Sequence, residues 1–156
     1  MKFSTRQDIA APIDFVFDRT ADFDAIERQA MRRGIEIDRA DDLGCNGTGM
    51  RWNIQFPYRG KRRKVKGELT EYDVPNRYLI RSVSGGVEAD FDVEFLALSR
   101  NRTRVIVGLQ LSPKSLSARL LVQSLKLTKS SLDDRFANRI AKFANDVQND
   151  YSSGRT

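Results

Sequence analysis

The chain's 156 residues suffice for one domain whose core needs neither disulfide nor metal to hold it. It contains no histidine and one cysteine, Cys45, which excludes Ser-His-Asp and Cys-His catalysis, His-ligated zinc, a cysteine-based metal cluster and an internal disulfide. Its 27 basic and 21 acidic residues leave a net charge of +6, a mild excess that favours acidic partners without marking a dedicated polyanion binder.

Residues 2–10 read as a first strand, with Phe3, Thr5, Gln7 and Ile9 on one face. Ala11-Pro12 ends it, and proline suits the first turn of a helix because its missing N–H costs nothing there. Ile13, Val16 and Phe17 have helical spacing. Thr20 or Asp22 can cap a second helix through Phe23, Ile26, Ala30 and Met31, which Gly34 ends after Arg32-Arg33. Residues 35–39 alternate as a short strand, and 41–47 form a turn cluster. Met50, Trp52, Ile54 and Phe56 share a strand face. Beyond the turn at 57–60, Lys61 to Tyr72 is a long strand, with Val65, Gly67 and Leu69 opposed to Lys64, Lys66, Glu68 and Thr70.

After the turn Asp73-Val74-Pro75-Asn76, Tyr78, Ile80 and Ser82 form one face of a fifth strand, closed by a Ser84-Gly85-Gly86 hairpin. Val87, Ala89, Phe91, Val93 and Phe95 then interleave with Glu88, Asp90, Asp92 and Glu94, the pattern of a half-buried antiparallel strand. A turn at 99–102 leads to a last strand with Val105, Val107, Leu109 and Leu111 inward. Arg102 and Arg104 are placed to neutralise the acidic row across the hairpin. From about Lys114 to Asp150 neither Pro nor Gly occurs, and apolar residues largely keep helical spacing. The polar stretch 128–131 predicts a kink or break, and 152–156 a frayed tail.

In this order of elements, the chain resembles the START-like (SRPBCC) superfamily. This is the helix-grip group of polyketide cyclases and dehydratases, lipid-transfer domains and pollen allergens. The resemblance is carried by Ile9-Ala10-Ala11-Pro12-Ile13-Asp14-Phe15-Val16-Phe17, by Tyr72-Asp73-Val74-Pro75-Asn76-Arg77-Tyr78 and by Asn101-Arg102-Thr103-Arg104-Val105. It implies an α+β helix-grip domain over 1–151. A strongly curved antiparallel sheet of about seven strands would wrap a long C-terminal helix, with two short helices after the first strand. It also implies a hydrophobic cavity between sheet and helix. These are motifs of shape, and fold alone does not fix function.

The cavity wall is expected from Trp52, Ile54, Phe56, Leu69, Tyr78, Ile80, Phe91, Val93, Val107 and Leu109, with Leu125, Leu132, Phe136 and Ile140 from the helix. The bland alternative is a solid core. Trp52, Tyr78 and Arg81 are the polar tips expected to orient a ligand, and the loop 41–47 or the C-terminal helix the expected gate. Glu71 shares parity with Leu69, so an enzyme reading would make it an inward general base, with a salt bridge to Arg77 or Arg81 as the structural alternative.

The basic run Arg59, Lys61, Arg62, Arg63, Lys64 and Lys66 offers a weak contact with an anionic membrane, or serves as a solvated hairpin guarding a strand edge. Little aromatic interleaving accompanies it, so nucleic-acid stacking is not indicated. The acidic row forms a straight line and does not converge as a hard metal requires, so no metal and no cofactor is expected. No apolar run approaches the roughly 20 residues of a membrane span, and residues 1–8 lack a secretory core, so cytoplasm is the expected compartment. The expected function is binding, with or without transport, of a small hydrophobic or amphipathic molecule such as a lipid, quinone or polyketide. A cofactor-independent cyclase or dehydratase using the same cavity is the alternative, and an interaction protein working through the basic hairpin is a third.

Overall fold

The computed structural model describes residues 1–154. Strand β1 (Lys2–Ile9) is followed by helices α1 (Ile13–Thr20) and α2 (Phe23–Arg32), then by strands β2 (Glu36–Arg39), β3 (Arg51–Tyr58), β4 (Lys61–Asp73), β5 (Arg77–Ser84), β6 (Val87–Ser99) and β7 (Arg102–Pro113). Helices α3 (Leu116–Lys126) and α4 (Lys129–Ser152) follow. The seven strands form one antiparallel sheet in the order β1-β7-β6-β5-β4-β3-β2. A meander thus closes on its first strand, while α1 and α2 carry the chain from one sheet edge to the other.

Local chemistry sets these boundaries. Asp22 caps α2 by accepting from the Ala25 N–H at 3.2 Å. Gly34, at φ +83°, ends that helix where a side chain would be strained. Two-residue turns at Arg59-Gly60 and Gly85-Gly86 take the left-handed backbone that matches strand twist. Gly86 is also a close approach, since a Cβ there would lie 2.4 Å from Ser115 Oγ, at the cap of α3.

The expected long C-terminal helix is two helices. The break falls at Leu127-Thr128, and Ser130 and Ser131 continue as helix. Lys129 reaching Asp133 at 2.9 Å supports that first turn of α4 despite its poor propensity. The tail expected from 152 starts in the last residue of α4. Arg155 and Thr156 lie outside the described residues.

The C-terminal half of α4 is tied down firmly. Ala144 and Val147 are buried, Gln148 accepts from the Ala10 N–H at 2.9 Å, Asp150 pairs with Arg19 at 2.9 Å, and Tyr151 packs edge-on to Phe15. Beneath it lies an aromatic cluster in which Phe17 meets Phe95 at 5.0 Å, Tyr72 at 5.6 Å and Tyr78 at 6.3 Å. Burying each such ring contributes about 1.5–3 kcal/mol, so this end of the grip carries much of the stability.

Candidate ligand-binding site

Cross-strand register sorts the concave face of the sheet into rows. One row runs Leu69–Ile80–Phe91–Leu109–Phe3, and the next runs Tyr72–Tyr78–Val93–Val107–Thr5. On the other side lies Trp52–Gly67–Ser82–Ala89–Leu111, and beyond it the pairs Ile54–Val65 and Phe56–Arg63. Within the row from Trp52 to Leu111, Gly67, Ser82 and Ala89 bring small side chains together between larger ones, and at Gly67 the side chains of Ser82, Ile80 and Trp52 come within 4 Å of where a Cβ would stand.

Burial divides the expected wall residues into two groups. Trp52, Leu69, Tyr78, Val93 and Val107 are sealed in the core. Ile54, Phe56, Ile80, Phe91 and Leu109 are half-buried, as are Leu125, Leu132, Phe136 and Ile140 on the helices. Phe136 of α4 packs on Phe3 of β1, with ring centroids 6.0 Å apart. The grip is therefore sealed under the C-terminal half of α4 and looser under its N-terminal half.

The polar tips are deployed differently from expectation. Trp52 donates its indole N–H to Glu27 of α2 at 2.8 Å. The Tyr78 hydroxyl donates to the Thr20 carbonyl at 3.2 Å, and burial pushes its phenol well above the ordinary tyrosine range. Both residues fasten helices to the sheet. Arg81 lies on the convex face, one residue out of phase with Ile80, and pairs with Asp90 at 3.2 Å.

Glu71 is likewise on the convex face. A β-bulge between Leu69 and Glu71 shifts the register, so that Leu69 opposes Ile80 but Glu71 opposes Leu79. The bulge turns Tyr72 inward beside Phe17 and turns Glu71 out, where it pairs with Arg77 at 2.7 Å. Arg77 also binds Asp92 through two nitrogens, at 3.0 and 2.9 Å. The acidic row is thus neutralised mainly from β5, with Lys114 near Glu88 at 3.9 Å. Arg104 and Arg102, expected to serve the row, meet Asp8 of β1 instead, because β7 lies between β6 and β1. The pairs that Arg77 and Arg81 make with Glu71, Asp92 and Asp90 line a convex groove of about 380 Å³.

The loop at 41–47 is anchored. The Asp41 carboxylate accepts from Arg39 at 2.7 and 3.0 Å, from the Leu43 N–H at 3.0 Å and from the Arg51 N–H at 2.7 Å. Asn46 donates to the Ala21 carbonyl at 3.0 Å. The Arg39 guanidinium, then the Arg51 amide, hold the Asp41 carboxyl far below the usual carboxylate range. A depressed folded-state pKa contributes stability that is present above the unfolded value of about 4 and is lost as pH falls below it. Asp41→Ala is therefore expected to lower the urea midpoint at pH 6, with the gap to wild type narrowing as pH is taken below about 4.

Helix α3 shows a second apolar face. Ala118 and Val122 are buried against the sheet, while Leu116, Leu120 and Leu127 on the opposite side are 76%, 61% and 87% exposed. The Arg59 guanidinium donates to Ser124 Oγ at 3.2 Å, which joins the tip of the β3–β4 hairpin to this helix. Arg119 and Lys126 are exposed on α3, and no acidic residue occurs from 95 to 132 or from 43 to 67. The sequence marks the hairpin charges, whereas helical spacing alone does not reveal that Leu116 and Leu120 face away from the sheet.

No family model and no curated protein sequence matches the chain. Among solved structures, the Zhui aromatase/cyclase from Streptomyces sp. R1128 aligns over 100% of this chain and 99% of its own, at 12% identity and a TM-score of 0.68. TTHA0849 from Thermus thermophilus aligns over 94% of this chain and 97% of its own, at 17% identity and a TM-score of 0.64. Ara h 8.0201 covers the same shares at 14% identity and a TM-score of 0.60. The chain has the helix-grip fold of START-like proteins. Among the described residues no helix is long and apolar enough to cross a membrane.

Proposed function

We propose that the protein is a non-enzymatic, cytoplasmic binder of a small hydrophobic or amphipathic molecule held between the sheet and α4. The observation that carries this reading is the half-buried row Ile80–Phe91–Leu109 beside the small residues Gly67, Ser82 and Ala89, with Phe136 and Ile140 of α4 half-buried against the same core. Apolar residues that could have been sealed retain solvent contact in one contiguous place. Burial of a ligand there would stabilise the complex by about 25 cal/mol for each Å² of apolar surface removed from water. The anchored loop at 41–47 lies toward the sealed end, so access is assigned to the looser end, beneath α3. The placement of Glu71 on the convex face with Arg77 favours binding over a cyclase or dehydratase reaction based on that carboxylate.

Native mass spectrometry of freshly purified protein, followed by organic extraction, tests the reading. A co-purifying lipid, quinone or polyketide supports it. An apo mass, together with no uptake of any apolar probe, sinks it.

The exposed leucines of α3 favour a second, compatible role, contact with an anionic membrane through α3 and the basic hairpin. Arg59, Lys61, Arg62 and Lys64 would add about 1 kcal/mol each near such a surface. Binding to phosphatidylserine vesicles should weaken at high salt and fall in the triple variant L116S/L120S/L127S. Binding indifferent to both would remove this role.

A further inference from the structure

Arg63 belongs to a different surface from the rest of its run. It opposes Phe56 across the β3–β4 pair, and side chains of opposed residues share a face. Ile54 and Val65 form the next pair on that face, followed by buried Trp52 and Gly67. Arg63 therefore projects from the concave wall at its looser end, whereas Arg62 turns outward and pairs with Glu36 at 2.6 Å.

Its Nε is shielded from solvent and is the one buried side-chain nitrogen or oxygen without a hydrogen-bond partner among the described residues. No carboxylate pairs with Arg63 among those residues either. A guanidinium cannot shed its charge, and a buried N–H without an acceptor is costly. Nature nearly always supplies such a donor with a partner, and an orphan one on the wall of a binding trough calls for an acceptor carried by the occupant.

We propose that the occupant is an amphipathic carboxylate, with its apolar body along the trough and its carboxylate on Arg63, which accepts from Nε and an adjacent guanidinium nitrogen. This rests on the cavity reading above and names the chemical class of its ligand. The fork of a guanidinium matches the two oxygens of a carboxylate, and such charge-assisted bonds are about twice as strong as neutral ones. Neither an alcohol nor an ester can replace both acceptors with full charge.

The test is a fluorescence titration of the whole chain with 11-(dansylamino)undecanoic acid and with its methyl ester. Wild type should bind the acid at least about tenfold more tightly than the ester. Arg63→Met should bring acid binding down to the level of the ester and leave ester binding within about twofold, while Arg63→Lys retains part of the preference. Arg63→Met should also unfold no earlier than wild type, because it removes an uncompensated buried donor. Equal binding of acid and ester by wild type, or a preference that survives in Arg63→Met, overturns the assignment of Arg63 and leaves the cavity reading standing. Failure of both probes to bind wild type overturns both.

Discussion

Replacing Ala89 with Trp should abolish binding of apolar probes to the trough and leave the protein folded. Ala89 lies between Ser82 and Leu111 on the concave face, is half-buried, and ends the row of small side chains begun by Gly67 and Ser82. An indole there would occupy space that the ligand needs. In a solid core the same change would overpack the interior at a cost of about 1–3 kcal/mol. In an open trough it meets no wall, and the added apolar surface would hold stability level or raise it slightly. The two readings of this interior therefore part on one pair of measurements, a probe titration and a thermal melt. Loss of binding by about a hundredfold with an unchanged melting temperature supports the trough, since a displaced drug-sized ligand forfeits most of its contacts. A melting temperature lowered by several degrees, with probe binding intact, would place the ligand elsewhere. Unlike Arg63→Met, Ala89→Trp should affect the dansyl acid and its ester alike, which separates the shape of the site from its charge.

Much of the fold was legible because strand periodicity is robust. Val87 to Phe95 alternates without fault, and β6 follows it. Two features of the site are hidden from the sequence for different physical reasons. Counting in twos from Leu69 puts Glu71 inward, whereas the bulge at Thr70 adds one residue to that count and turns it out, where it forms the salt bridge to Arg77 that the sequence offers as the structural alternative. Thr70 carries no side-chain signature of a bulge, since it is neither Gly nor Pro, so nothing in the sequence could mark the change of phase. Arg63 was grouped with its neighbours by charge. The same counting in twos, from Val65, already put it on the wall face, and there the alternation held.

Trp52 and Tyr78 were placed on the correct face, but their hydrogen-bonding ends go to Glu27 and Thr20. Those partners lie 25 and 58 residues away, and pairing across such separations is fixed by tertiary packing that no local pattern encodes. The row of small side chains arises from three strands contributing Gly67, Ser82 and Ala89 at one level of the sheet. Each residue is unremarked in its own strand, and only the register brings them together.

The sealed end should be far less tolerant than the looser end. Phe17 is 1% exposed and contacts Phe95, Tyr72 and Tyr78 edge-on or tilted. Phe17→Ala should cost about 3–5 kcal/mol, the range for deleting a fully packed aromatic ring. Against a total stability of about 5–15 kcal/mol, that change removes at least about a fifth of the total. Phe136 on α4 is half-buried, with Phe3 at 6.0 Å. Truncating it enlarges a space that is already present and removes fewer contacts. Phe136→Ala should therefore cost less than half as much as Phe17→Ala while weakening probe binding. Urea denaturation of both variants measures the contrast. Equal losses would mean that the N-terminal half of α4 packs as tightly as its C-terminal half, and the interior would then be one continuous core with no room to admit a ligand.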